Sequence, residues 1–353
     1  MKNLLLTVIL LCFCLPFVKA ADQKMILIST NETDLILQVA PNGRLYQTYL
    51  GNKLVNESEF ENLSWNIQAG TDGSVSTRGW EVYPCSGAED YFEPAIQVLH
   101  NDGNPSLLLK YVEHSSSRQN DGSVETVITL KDDKYPVTVK LHYITYAAEN
   151  IIKTFTEINH QEKKPIVLSK YASSMLHFNR DKYFLTEFSG DWAHEVNIAE
   201  RELAFGKKTI DTKLGARANM FVSPFFQLSL GAPSEENSGE VLVGTLGWTG
   251  NFRFTFEVDN KNELRVISGI NPYASEYSLP AKETFRTPDF YFTYSLNGKG
   301  EASRNFHDWA RKYQIKKGDQ TRMTLLNNWE ATYFDFDENK LVGLMDEAGE
   351  VGG

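Results

Sequence analysis

Three short segments of the chain combine aromatic side chains with carboxylates or amides. One contains Asp90, the second Trp192, and the third runs through Asn327 and Asn328 to Trp329. Sugars present C–H faces that stack on aromatic rings and hydroxyls that pair with carboxylates and amides, so their binding sites combine these residue types. We therefore take Asp90, Trp192 and Trp329 as candidate substrate-binding residues for a carbohydrate.

Each candidate also has a purely structural interpretation. Trp192 would fill the interior of a β-sandwich equally well, and Asp90 would cap a turn, and composition alone favours these roles. The balance differs at Trp329, because an apolar run ends there in amides, an aromatic ring and a carboxylate. This is the pattern of a barrel strand whose carboxyl end carries functional residues, and a helical pattern follows it.

Other chemistries find no support in the residue spacing. The seven histidines lie far apart and form neither a His-x-His nor a His-Glu-x-x-His pair, so we expect no metal. A Gly-x-Ser-x-Gly elbow does not occur, and Gly298-Lys299-Gly300 lacks the rest of a phosphate loop. Cys85 is typical of a small buried residue. The sequence predicts no catalytic serine or cysteine and no cofactor.

The charge balance limits the partners. The chain has 353 residues and a formal net charge of −11. Binding to nucleic acid requires lysine and arginine in patches that neutralise phosphates, and no basic cluster occurs. We therefore expect no nucleic-acid partner.

The N-terminus has the layout of a secretory signal peptide. A basic start precedes an apolar run from Leu4 to Phe17, and small residues at Val18 and Ala20 fit a cleavage site. A membrane anchor is the alternative, but the run is shorter than the ~20 residues that a spanning helix needs. We predict a signal peptide over residues 1–20 and an exported protein, periplasmic or secreted, without membrane contact after cleavage.

Alternating polarity predicts many strands between residues 21 and 300. Segments 34–39 and 44–50 flank a Pro-Asn-Gly turn, segments 124–130 and 137–143 flank a polar turn, and segments 241–246 and 253–258 flank Trp248-Thr249-Gly250-Asn251. No long helical periodicity interrupts them. Strands in such succession predict a large sandwich of two extended sheets.

Helical patterns appear only after this region. Ala302, Phe306 and Trp309 fall on one stripe of a helix predicted over Glu301–Tyr313, within a linker at residues 301–320. A second helix is predicted from about Glu338, with Asp337 as its N-cap. Residues 321–353 then read as one strand and one helix, the first unit of a barrel that this sequence does not complete.

The segment from Leu326 to Phe336 resembles a signature of family 36 glycoside hydrolases, the microbial α-galactosidases. Shorter landmarks of that family occur in the same order: Asp90–Ala95, Ser189–Trp192, Ser223–Phe225, Gly239–Val241, Gly250–Phe252, Ser268–Pro272 and Thr287–Asp289. The resemblance extends over roughly residues 24–353.

The resemblance implies a mainly β fold, with an N-terminal β-supersandwich, a linker helix and the start of a (β/α)8 barrel. It implies retaining hydrolysis of terminal α-galactosyl groups of oligosaccharides or polysaccharides, by two carboxylates and without cofactor. In the family both catalytic aspartates come later than the segment ending at Gly353. We therefore expect this chain to be an inactive N-terminal portion of an enzyme that is a homo-oligomer at full length.

The resemblance also assigns the candidate contacts. Trp329 matches a tryptophan that walls the sugar subsite, Trp192 one lent by the sandwich, and Asp90 an aspartate that reaches a site in oligomeric members. The chain departs from the family at Arg217 and Asn219, where many members carry serine and histidine, which leaves oligomeric state and specificity open. α-N-Acetylgalactosaminidase activity and a non-catalytic carbohydrate-binding sandwich stay as alternatives.

Overall fold

Antiparallel strands make up most of the chain up to residue 295. The computed structural model describes residues 24–56, 60, 63, 80–87, 92–215 and 221–351. Two units can be distinguished, Met1–His307 and Asp308–Gly353. The first contains all the strands of the described residues, in three sheets.

The largest sheet has ten strands among the described residues, all paired antiparallel. In spatial order these are β11 (Asn197–Glu202), β10 (Tyr183–Ser189), β13 (Val222–Leu230), β14 (Glu240–Gly247), β19 (Asp289–Ser295), β8 (Ile151–His160), β7 (Val137–Tyr146), β6 (Val124–Asp132) and β5 (Leu109–Arg118), with β18 (Thr284–Arg286) also pairing with β8.

The two smaller sheets have six and three strands in the described part of the chain. The six-stranded sheet runs β12 (Gly206–Asp211), β15 (Phe252–Val258), β16 (Glu263–Ile270), β9 (Ile166–Asn179) and β17 (Tyr277–Leu279), with β4 (Ile96–Leu99) also on β9. The three-stranded sheet contains β1 (Lys24–Ser29), β2 (Thr33–Val39) and β3 (Leu45–Asn52).

Two of the three strand pairs expected from the turns form hairpins. β2 pairs with β3 across the Pro-Asn-Gly turn, and β6 pairs with β7. The third pair of segments forms strands too, but β14 and β15 lie in different sheets. The residues from Trp248 to Asn251 therefore carry the chain from one sheet to the other instead of closing a hairpin.

Aromatic side chains fill the space between the ten-stranded sheet and the six-stranded sheet. Phe226 of β13 is fully buried, and its ring centroid lies 5.1 Å from that of Phe254 and 5.0 Å from that of Phe256, both on β15. Gly244 of β14 leaves room for these rings, since a Cβ there would lie 2.7 Å from Phe226 and 2.8 Å from Phe290. Close packing of this kind, with edge-to-face rings, gives the mainly β fold expected of the sandwich.

A helix follows the last strand. α1 (Gly298–Trp309) continues into one π-helical turn at Ala310–Gln314, close to the helix predicted over Glu301–Tyr313. Ala302 is fully buried against Val241 and Val243, and the Phe306 ring lies 6.3 Å from that of Phe225. The part of α1 within the first unit thus packs on the ten-stranded sheet.

After the π-helical turn at Ala310–Gln314, the described residues of the second unit form two α-helices, α2 (Trp329–Thr332) and α3 (Glu338–Glu350). The predicted N-cap of α3 is confirmed, because the Asp337 side chain accepts a hydrogen bond of 2.9 Å from the backbone N–H of Lys340. The strand expected before Trp329 does not form: residues 321–328 pair with no described strand, and Leu325 is 89% exposed. A strand needs a neighbour to take its backbone hydrogen bonds, and hydropathy alone does not supply one.

The domain limits at residues 21–300, 301–320 and 321–353 stay predictions, and the signal peptide lies outside the described residues. Within the described residues, no helix has the length and apolar character needed to cross a membrane.

Candidate functional site

Trp192 lies at the tip of the hairpin that joins β10 to β11. Ser189 pairs with Asn197, so residues 190–196 form the turn. The backbone closes on itself there, since the N–H of His194 donates to the carbonyl of Asp191 at 2.9 Å. Trp192 is 78% exposed, and it therefore does not fill the core of the sandwich.

Two residues of this turn adopt unusual backbone angles. Ala193 and Val196 have φ of 59° and 58°, a left-handed region that a β-branched residue such as valine rarely adopts. A Cβ at Gly190 would collide with the carbonyl oxygen of His194. Such strain costs on the order of 1–3 kcal/mol at each residue and persists where surrounding structure fixes the loop, as at ligand-binding sites.

Trp329 begins the short helix α2 and sits within a cluster of aromatic rings. Its backbone N–H donates to Oδ1 of Asn327 at 3.0 Å, and its ring meets those of Tyr333 and Phe334 edge to face at 5.5 and 4.9 Å. The side chain of Asn328 donates to Oγ1 of Thr332 at 2.8 Å. Trp329 is 44% exposed, so part of its ring is open to a ligand.

Asp90 lies outside the described residues, as do Arg217 and Asn219. The description resumes at Phe92, whose ring centroid lies 3.5 Å from the guanidinium of Arg265. Glu93 forms ion pairs with Lys170 and Lys207. Burial alone would raise the pKa of the Glu93 carboxyl, but these two ammonium groups outweigh burial and lower the pKa to about 2.

The described residues contain no group of three or more His, Cys, Asp or Glu that would hold a metal ion. Cys85 is a buried free cysteine, and burial raises the pKa of its thiol. A buried thiol with a raised pKa supplies little thiolate, which is the form that attacks a substrate. The exposed rings of Trp192 and Trp329 are available for contact with a ligand.

Comparison with known proteins identifies the family. Residues 43–280 match the model of the glycosyl hydrolase family 36 N-terminal domain, and residues 284–353 match that of melibiase. The chain belongs to glycoside hydrolase family 36. The resemblance inferred from the segment around Trp329 is confirmed.

Curated relatives in family 36 match along nearly the whole chain. α-Galactosidase Mel36A of Lactobacillus acidophilus is 27% identical over 95% of this chain and 49% of its own length. α-Galactosidase AgaA of Geobacillus stearothermophilus is 29% identical over 90% of this chain and 46% of its own length. The chain therefore spans about half the length of the curated relatives it matches.

Solved structures of α-galactosidases have the same fold. The α-galactosidase from Lactobacillus brevis superimposes with a TM-score of 0.83 at 25% identity, covering 93% of this chain and 47% of its own. A variant of AgaA in complex with stachyose gives 0.83 at 26% identity, covering 93% and 49%. The prediction of a β-supersandwich fold is confirmed by these matches.

The binding roles of Asp90, Trp192 and Trp329 stay predictions. Trp192 belongs to the first unit and Trp329 to the second, and both rings are exposed to different degrees. Two further exposed aromatic residues were not anticipated as binding residues, Trp248 at 41% and Tyr273 at 59%. A signal was present for Trp248, since a tryptophan within a four-residue connection between strands has no core to fill.

Proposed function

We propose that this chain acts as the N-terminal portion of a retaining α-galactosidase that removes terminal α-galactosyl groups from oligosaccharides or polysaccharides. One observation carries the proposal: the two family 36 models match consecutively along the chain, and the curated relatives that span it are α-galactosidases. Relatives with raffinose and stachyose bound support oligosaccharides as the substrate class.

In this proposal the chain supplies contacts and not the reacting groups. Trp329 would wall a sugar subsite. Trp192, on its strained turn, and Asp90 would be substrate contacts supplied by the sandwich. Residues 321–353 would form the first β/α unit of the catalytic (β/α)8 barrel. The two carboxylates of a retaining hydrolase would come from later barrel strands, so no residue of this chain takes a catalytic role.

The proposal extends to location and assembly. A signal peptide over residues 1–20 would direct export, to the periplasm or the medium, and cleavage would leave the protein free of the membrane. We also propose that the full-length protein is a homo-oligomer. The exposed Val196 and Ile198, at 57% and 71%, support an additional contact surface on the hairpin that carries Trp192.

The test is hydrolysis of an aryl α-galactoside and of the matching aryl N-acetyl-α-galactosaminide by the full-length gene product and by this chain. We expect turnover of the galactoside by the full-length protein only. Turnover by the 353-residue chain would overturn the placement of the carboxylates. Preference for the acetamido sugar would replace the proposed specificity, and no turnover of either glycoside would indicate a binding protein.

Trp192→Ala in the full-length protein tests the contact role. We expect kcat/KM for the oligosaccharide to fall at least about tenfold, the equivalent of about 1.4 kcal/mol. Phe205→Ala is the matched control, because Phe205 is also exposed, at 76%, but lies at the opposite ends of the strands that lead to Trp192. Equal losses in both variants would contradict the assignment.

A further inference from the structure

Several loops with exposed aromatic residues emerge at one end of the sandwich. Within the six-stranded sheet, Asp211 at the end of β12 pairs with Arg253 near the start of β15, and Phe252 pairs with Ile270 at the end of β16. The connections that follow β12 and β16, and the one that precedes β15, therefore leave at this end. They contain Lys213, Tyr273 and Trp248 respectively.

The turn with Trp192 leaves at the same end. β13 lies between β10 and β14, with Ser189 paired to Val222 and Phe225 paired to Thr245. Because neighbouring strands lie about 4.8 Å apart, the ends of β10 and β14 are separated by about 10 Å. Trp192 and Trp248 thus follow strand ends that are about two sugar-sized steps apart on one edge of the molecule.

The indole of Trp248 packs directly against Gly250. A Cβ at Gly250 would lie 2.6 Å from Nε1 and 2.9 Å from Cε2 of the indole, so the ring lies against the bare glycine. The rest of the ring is open, and so is Tyr273. Neither the indole N–H of Trp248 nor the hydroxyl of Tyr273 bonds to any residue the structure describes, so both can pair with ligand hydroxyls.

Two asparagine side chains, Asn251 and the buried Asn271, hold the loops together. The N–H of Asn271 donates to the carbonyl of Asn251 at 3.0 Å, and its side-chain amide donates to the carbonyl of Thr212 at 3.0 Å. Oδ1 of Asn251 accepts from the N–H of Gly215 at 2.8 Å, and Oδ1 of Asn271 accepts from that of Tyr273 at 3.0 Å. Loops fixed in this way lose little conformational freedom when a ligand binds.

The charged side chains named at this end contact one another. Asp211 accepts from Arg253 at 2.9 Å and lies 3.6 Å from the ammonium of Lys213. That ammonium also lies 4.8 Å from the centroid of the Tyr273 ring. Since both cations contact the Asp211 carboxylate, the surface offers aromatic rings and hydrogen-bonding groups, which suits a hydroxyl-rich ligand.

We propose that Trp248 and Tyr273 form an accessory subsite for a neutral oligosaccharide chain, binding sugar units beyond the terminal one. The inference rests on the proposed function, because that function supplies the ligand class. Trp192 and Trp248 then serve different parts of one carbohydrate chain, and the subsite matters for long substrates and not for short ones.

The test is affinity electrophoresis of this chain through gels containing soluble galactomannan, with Trp248→Ala, Tyr273→Ala and the control Phe205→Ala. We expect retardation of the unaltered chain and of the control. Each of the other two variants should need about tenfold more polysaccharide for the same retardation, the loss of about one aromatic contact. Thermal unfolding of each variant checks that all three remain folded.

Absence of retardation for the unaltered chain, or equal retardation of Trp248→Ala, would overturn the subsite. So would a concentration-dependent dimer that Trp248→Ala abolishes, since the rings would then be covered by a second copy. The readout is independent of catalysis. A full-length protein without glycosidase activity would contradict the proposed function. The electrophoresis result tests the accessory subsite separately.

Discussion

The two units differ in how far their aromatic side chains are exposed to solvent. In the sandwich Phe226 and Phe254 are fully buried between sheets, whereas in the C-terminal unit Phe334 is 86% exposed and Trp329 44%. The sandwich therefore has a core of its own. In residues 308–351 the apolar side chains largely face outward, which is typical of a surface that is covered by another part of a structure.

Truncation of one ring in each unit should show the largest difference. Phe226→Ala removes a ring packed on Phe254 and Phe256, and we expect it to lower the free energy of unfolding by about 3–5 kcal/mol. Phe334→Ala, the matched change in the other unit, should cost about 1 kcal/mol or less, since it loses only a ring contact at the surface. Denaturant titrations measure both, and similar losses would contradict the contrast.

The second largest difference between the units should be the dependence of their stability on pH. Burial lowers the pKa of His177 to about 3, helped by the nearby guanidinium of Arg265. The unfolded imidazole takes up a proton below about pH 6.5, while the folded one stays neutral, so the unfolded state binds more protons between these pH values. The stability of the sandwich should fall as pH drops below 6.5, by about 2–3 kcal/mol at pH 4.5.

His177→Gln should flatten this pH dependence, and His194→Gln, at an exposed position of the same sandwich, is the matched control. No histidine follows His307 in the sequence, so the slope that depends on histidine should be absent from signals of the C-terminal unit. An unchanged slope in the His177 variant would show that other groups dominate the pH dependence.

Two glycines should respond to alanine with opposite signs. At Gly244 a Cβ would meet the rings of Phe226 and Phe290, so we expect Gly244→Ala to destabilise by about 1–3 kcal/mol. At Gly343, within α3, nothing lies within 4 Å of the added Cβ, and alanine should stabilise the helix by about 0.5–1 kcal/mol. Thermal unfolding followed by circular dichroism measures the change in stability of each variant. Changes of the same sign in the two variants would contradict the prediction.

The smallest effect concerns association. Val342 and Met345 of α3 are 49% and 57% exposed, and exposed apolar faces favour contact between copies. We expect light scattering to show self-association of this chain and expect Met345→Lys to reduce it. Leu108→Lys, an exposed position on the sandwich at 39%, is the control. A monodisperse monomer before substitution would refute the expectation.

Local signals were sufficient for local structure. The Pro-Asn-Gly turn predicted the β2–β3 hairpin, and Asp337 predicted the start of α3, because both depend on residues that are neighbours in sequence. The pairing of β14 and β15 with strands of different sheets did not follow from the turn between them, since it depends on what each strand packs against. The strand expected before Trp329 does not form in residues 321–328, because its formation likewise depends on a neighbouring strand.

The family-based part of the site was within reach of the sequence, and its geometry was not. Trp192 was found through its neighbours, but its exposure is set by the strained turn at Ala193 and Val196, which no composition shows. Trp248 and Tyr273 were missed as binding residues because they are far apart in sequence. The pairing of β15 with β16 and the hydrogen bonds of Asn251 and Asn271 bring their loops together.

The outermost strands of the ten-stranded sheet have a further consequence. β11 reads Asn-Ile-Ala-Glu-Arg-Glu, and the second half of β5 reads His-Ser-Ser-Ser-Arg, mostly exposed. Charged and small polar side chains along a border strand discourage the addition of a foreign strand. Molecules of this protein should therefore resist growing into fibrils, even where they adhere through their side chains.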